Sequence, residues 1–287
     1  RDLHSFPTRR SSDLNAEGGL LDGVGALGDD DPNRASRQLL RYRGHQSAQV
    51  GERDRAAGQR EQGAGSAAAS WAQLINDGMA ALAGLDGGRL RVLGHLPLSA
   101  PSLAPGIAQE VLADGGFSGF ALGTLGTEPG IANPALDDLW EVLDTAASFV
   151  LLHPSATPDP RLHPYYLSNL LGNPYETALA AAGLVFSNLL ARFPRIRFCL
   201  CHGGGVTAAV AGRWQRGADT TRPGISPLSL TPREALRHLY VDDLVHDPAM
   251  LELVESTFGP DHVLTGSDWP FPMGQRQIGR ASCRERV

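Results

Sequence analysis

From Trp71 onward the chain alternates between two hydrophobic periods. Trp71–Ala83 sets Leu74, Ile75, Met79 and Leu82 at helical spacing, and Leu90–Leu98 (LRVLGHLPL) then reads as a strand. The same alternation predicts a helix over Leu103–Asp114, a strand over Gly116–Leu122 and a helix from Asn133-Pro134 through Leu143. Ser148–His153 (SFVLLH) is an apolar strand closed by Pro154, and a polar, proline-rich loop follows. Asn173-Pro174 opens a helix through Leu190; Arg197–His202 is a strand and Val206–Gln215 a helix. Thr231, as N-cap before Pro232, opens a helix to His238, and Leu239–Val245 is the next strand. Asp247–Phe258 is a helix and Val263–Asp268 the last strand. Apolar strands alternating with helices predict an α/β fold with a parallel sheet covered on both faces. Six strands suit a TIM-like (β/α)8 barrel lacking two strands at the front and the closing helix at the back. A doubly wound open sheet is the rival, which strand counting does not exclude.

The remaining stretches do not follow this alternation. Residues 15–70 are rich in Gly, Ala, Arg, Gln, Asp and Glu, with almost nothing to bury between Leu40 and Trp71, and are expected to be irregular or disordered. A frameshift in GC-rich DNA would produce such a segment. Gly23–Gly28 matches G-x-G-x-x-G, but no strand precedes it and no helix follows, so a dinucleotide site is not expected there. His4–Leu14 (HSFPTRRSSDL) and Ile278–Val287 (IGRASCRERV) read as translations of one sequencing-adapter oligonucleotide and its reverse complement. The expected division is therefore 1–14 adapter-like, 15–70 irregular, 71–277 barrel and 278–287 adapter-like.

With 287 residues, 42% of them hydrophobic, the chain can bury a large core. A net charge of −6 leaves no electrostatic footprint for nucleic acid, and no apolar run approaches the ~20 residues of a membrane span. Three cysteines (Cys199, Cys201 and Cys283) form no disulfide framework, which points to a reducing, cytoplasmic compartment. Every one of the 25 basic residues is arginine, so Schiff-base and P-loop lysine chemistry is excluded.

Candidate chemistry sits at strand ends. Phe198–Gly205 (FCLCHGGG) delivers His202 at the end of an apolar run and follows it with three glycines, which lets a backbone approach a ligand closely. His153 closes another strand and Asp268 a third. In a β/α barrel such ends converge, and two histidines with one carboxylate are suitable donors for zinc or a similar ion. The plain alternatives are a packed His202, a turn-satisfying His153 and a capping Asp268. His95 reads as core or rim, and His163, His238 and His262 as solvated. Asp242 and Asp243, with His246 in VDDLVHDP, are candidates for orienting a ligand from behind.

These residues resemble the amidohydrolase-2 family, in the branch of aminocarboxymuconate semialdehyde decarboxylase. The resemblance runs from Trp71 to about Gly274. It is carried by LHP at Leu152–Pro154, GNPYET at Gly172–Thr177, RFPRIRFCLCHGGG at Arg192–Gly205, GRW at Gly212–Trp214, YVDDLVHDP at Tyr240–Pro248 and GSDWPFPMG at Gly266–Gly274. It implies a β/α barrel with one divalent metal, usually zinc, held by an H-x-H pair and by the residues matching His153 and Asp268. The residue matching His202 activates water at the metal or shuttles protons. The one matching Arg213 binds a substrate carboxylate, in some members across a dimer interface, so a homodimer is implied for the intact enzyme. Trp269 is a candidate pocket wall or a core residue. The departure is the H-x-H pair, which occurs nowhere in the chain: His4 lies in the adapter-like segment and His45 stands alone. The chain as sequenced is therefore expected to bind metal poorly. The expected function is decarboxylation of a small aromatic or unsaturated carboxylic acid. The alternatives are a lactone or amide hydrolase on the same scaffold, and an inactive fragment.

Overall fold

The computed structural model describes residues 61–274 apart from 86–89, 125–129, 155–156, 158 and 221. Its six strands are β1 (Val92–Gly94), β2 (Phe117–Gly123), β3 (Phe149–His153), β4 (Arg197–Leu200), β5 (Tyr240–Asp242) and β6 (Val263–Leu264). They lie side by side in sequence order, every neighbouring pair parallel. A doubly wound sheet reverses its strand order at a switch point. An unbroken β1-to-β6 order has no such point, and makes the six strands an arc of a TIM-like β/α barrel.

Helices α1 (Glu61–Leu85), α2 (Ala104–Ala113) and α3 (Asp137–Thr145) precede β1, β2 and β3 in turn. Then α4 (Asn173–Phe186) and α5 (Leu189–Arg192) lie between β3 and β4, α6 (Thr207–Asp219) and α7 (Pro232–Leu236) between β4 and β5, and α8 (Pro248–Phe258) between β5 and β6. Polar side chains cap α7 and α8. Thr231 Oγ1 accepts from Glu234 N at 3.3 Å while Thr231 N donates to Glu234 Oε2 at 2.8 Å, a closed capping box. Asp247 accepts from Met250 N at 2.8 Å and starts α8. Val150 and Leu152 of β3 and Phe198 and Leu200 of β4 are fully buried, in one core with Trp140, Leu143, Leu184 and Phe258 from the helices. The Trp140 and Phe198 rings meet edge-on at 5.7 Å. Alternation along β3 places His153 with Phe149 and Leu151, on the face opposite Val150 and Leu152.

Several expected boundaries move. The first helix begins at Glu61, ten residues ahead of Trp71 and inside the stretch expected to be irregular. Alanine-rich sequence has strong helix propensity without a visible apolar stripe. The helix expected from Asn173 to Leu190 divides at Asn188, whose φ of 59° is left-handed. β4 stops at Leu200 and β6 at Leu264, short of His202 and Asp268. β6 pairs with β5 at only two positions, Val241 with Val263 and Asp242 with Leu264, so the backbone is released early.

His95 follows β1. Its N–H donates to Asn76 Oδ1 at 2.7 Å, and Asn76 Nδ2 donates to His95 O at 3.1 Å, which clamps the β1 exit onto α1. Burial pushes the imidazole down to about 4. The unfolded chain takes up this proton near pH ~6.5, so stability is full above that value and falls as pH drops toward 4. The loss is up to about 3 kcal/mol. Urea titrations at pH 7.5 and 4.5 are expected to show a smaller pH dependence in His95→Gln than in the parent chain.

Candidate metal centre and active site

Three exits from the sheet build the site. At the first, His153 ends β3 and its Nδ1 lies 3.0 Å from the Pro154 carbonyl. A carbonyl only accepts, so Nδ1 carries the proton and the lone pair lies on Nε2. At the second, Cys201 stays extended and His202 then turns with φ 57°. Gly203, Gly204 and Gly205 continue at φ 60°, 75° and 61°. A Cβ on Gly203 would meet Val245 Cγ1 at 2.2 Å, and one on Gly205 would meet the Pro174 carbonyl oxygen at 2.1 Å. The turn thus fits between α4 and the β5 exit only because these residues lack side chains. At the third exit, Asp268 also has a left-handed φ, 49°, and its carbonyl accepts from Phe271 N at 2.9 Å. Left-handed non-glycine residues such as His202 and Asp268 persist where surrounding contacts hold them.

Much of that holding comes from the end of β5. Asp242 Oδ1 accepts from Gly203 N at 2.8 Å and Leu244 N at 3.2 Å. Asp243, 2% exposed, accepts from Gly266 N at 2.9 Å, and its own N donates to Leu264 O at 2.9 Å. A Cβ on Gly266 would lie 2.8 Å from Asp242 Cβ. Neighbouring carboxylates thus tie together the loops bearing His202 and Asp268. They do so through the backbone N–H groups of Gly203 and Gly266.

The three candidate residues converge. The ligating atoms of His153, His202 and Asp268 all lie within 4.8 Å of one another, and each residue is half-buried. His202 Nε2 is 4.0 Å from Asp268 Oδ2, and the two imidazoles meet edge-on at 5.4 Å. Donors roughly 2.1 Å from one ion stand about 3–4 Å apart, so small rotamer changes close this group on a cation. Two imidazoles and a carboxylate fit zinc or a similar divalent ion. Burial lowers the proton affinity of His202; the Asp242 carboxylate opposes that shift and His246 adds to it.

The other candidates do not belong to this group of three. Arg213 is exposed on α6 and makes no hydrogen bond or ion pair among the described residues. Trp269 is 53% exposed next to Asp268, so it is not a core residue, and its backbone N–H donates to Ser267 Oγ at 3.2 Å. Phe271 and Met273 are exposed as well. His246 is exposed. His163 and His238 are exposed as expected, but His262 is half-buried, stacked on Tyr240 at 4.4 Å. Burial pushes the Cys199 thiol up to about 12, which removes it as a nucleophile. His45 and Gly23–Gly28 lie outside the described residues.

A family model described as Amidohydrolase matches residues 13–282, beyond Trp71–Gly274 at both ends. The chain belongs to the amidohydrolase-2 family. It is 29% identical over 212 residues to the 2-amino-3-carboxymuconate-6-semialdehyde decarboxylase of Dictyostelium discoideum, covering 73% of this chain and 59% of that protein. It is 38% identical over 124 residues to the Caenorhabditis elegans protein of the same name, covering 42% and 31%. A 5-carboxyvanillate decarboxylase from Novosphingobium aromaticivorans, solved with manganese and 4-hydroxy-3-methoxy-5-nitrobenzoic acid, superposes with a TM-score of 0.65 at 18% identity, covering 71% of this chain and 61% of that one. At that identity the likeness shows a shared fold. The amidohydrolase-2 chain spans less than two thirds of each of these three proteins. Among its described residues no helix is long and apolar enough to cross a membrane.

Proposed function

We propose that the site serves a metal-dependent carboxy-lyase acting on a small aromatic or unsaturated carboxylic acid. The observation that carries this reading is the convergence of His153, His202 and Asp268 within 4.8 Å, from three separate strand exits. The decarboxylase names of the relatives support the reaction class. His153, through Nε2, and Asp268 would hold the ion, which we take to be zinc. When bound, such an ion supplies Lewis acidity that polarises a substrate oxygen.

His202 is the proton carrier. Its burial favours the neutral ring, ready to take a proton and then deliver it to the substrate carbon. The bond from that carbon to the carboxylate breaks next, carbon dioxide departs, and the electron pair left behind restores the ring or diene. Trp269, with its exposed indole, would cover one face of the substrate. Arg213 would bind a carboxylate bidentately, and its exposed position on α6 suits delivery from a second copy in a homodimer. A cytoplasmic setting accords with the two reduced cysteines, Cys199 and Cys201.

Release of labelled carbon dioxide from carboxyl-13C hydroxybenzoates tests the reaction, in a version of the chain supplied with an upstream H-x-H pair. Metal-dependent release that disappears in His202→Ala is the expected result. Ring opening or amide cleavage without carbon dioxide would assign the site to a hydrolase instead.

A further inference from the structure

Glu176 is a buried acid that the chemistry above leaves unused. An acid in the first turn of a helix is ordinarily solvated there and favoured by the helix dipole. Glu176 stands in the first turn of α4 yet is only 3% exposed. Its partner is the hydroxyl of Thr157, itself 7% exposed, and burial raises the carboxyl's proton affinity while that bond opposes the shift. Buried polar groups in such a place are retained with a partner because leaving either one alone is costly.

The two segments joined by this pair are those that carry and brace the candidate ligands. Thr157 is four residues beyond His153, whose ring is held on the Pro154 carbonyl. The start of α4 supports the turn after His202: the Pro174 carbonyl accepts from Val206 N at 3.3 Å and fills the space beside Gly205. Gly172, just ahead of α4, packs so closely on Thr157 that a Cβ there would meet Thr157 Cγ2 at 2.7 Å. We propose that Glu176 is a positioning residue: through Thr157 it fixes the β3 exit to the start of α4, and so sets the spacing between His153 and His202. This rests on reading His153 as a metal ligand.

Imidazole 1H–15N spectra of the full chain, with and without manganese, test the strut. In the parent chain the His153 Nδ1 proton is expected to exchange slowly, and Mn2+ to broaden the His153 and His202 signals together. Glu176→Ala is expected to speed that exchange at least about tenfold and raise the Mn2+ midpoint about 10–100-fold, as for other residues that orient a ligand. Glu176→Gln retains an acceptor for the Thr157 hydroxyl and is expected to restore both readouts. Thr157→Val should reproduce Glu176→Ala, and the double variant should be no worse than either single one. Leu143→Ala, a core truncation away from the strut, is expected to lower the melting temperature while leaving the midpoint in place. The proposal is overturned if Glu176→Ala leaves the ring proton slow, if Glu176→Gln is as damaging as Glu176→Ala, or if the two single effects add. Should Mn2+ broaden neither imidazole of the parent chain, the metal reading fails, and the ring-proton comparison still decides the strut.

Discussion

Gly205→Ala is expected to unfold the turn that carries His202. The new methyl would be built 2.1 Å from the Pro174 carbonyl oxygen, on a backbone with φ 61° and ψ −130°. That conformation is accessible to glycine and strained for any L-residue, and the obstructing atom is main chain. Neither the turn nor α4 can give way without breaking the Val206-to-Pro174 hydrogen bond. The expected cost is on the order of 4–5 kcal/mol, at the diagnostic end of single-substitution effects. For a domain of this size the melting temperature should fall by about 10 °C or more. Gly78→Ala is the control. Gly78 is exposed on α1 with open space around its missing Cβ, so that substitution should stabilise by about 0.5–1 kcal/mol. Urea denaturation of the two variants and the parent checks both signs, and a Gly205→Ala protein of parental stability would refute the close approach.

A version of the chain given an upstream H-x-H pair is expected to bind zinc about four to six orders of magnitude more tightly than the chain as sequenced. Four-ligand zinc sites have apparent binding free energies of about 10–16 kcal/mol, so two imidazoles account for roughly 5–8 kcal/mol when shared evenly. The described residues supply two imidazoles and one carboxylate. Competition against a chromophoric chelator measures the difference. In the supplemented version, Asp268→Ala should remove about half of the gain. Tight stoichiometric binding by the chain as sequenced would show that the missing pair is not needed.

The fold was legible where hydrophobic period and helix punctuation agreed. All six strands were visible as apolar runs, and Thr231-Pro232 and Asp247-Pro248 marked helix starts that the structure keeps. Strand ends were less legible. A strand's length depends on how long its neighbour stays in register, and β5 offers β6 only two partners. His202 and Asp268 therefore leave the sheet before they are presented, each on a left-handed residue that apolar pattern does not mark. The choice between barrel and open sheet depended on strand order, a property of pairing between distant segments. Asp242 and Asp243 were visible as acids near the site. Their bonds to Gly203 and Gly266 required knowing which loops meet there. Glu176 was the least legible, since an acid three residues into a helix reads as an ordinary dipole partner until its burial is seen.

Anomalous diffraction at the manganese edge, from crystals of the version given an upstream H-x-H pair and soaked in millimolar Mn2+, locates the ion. One peak is expected within coordination distance of His153 Nε2 and an Asp268 carboxylate oxygen, with the His202 ring beside it. A peak elsewhere, or well-ordered His153, His202 and Asp268 side chains with no density between them, would contradict the metal reading.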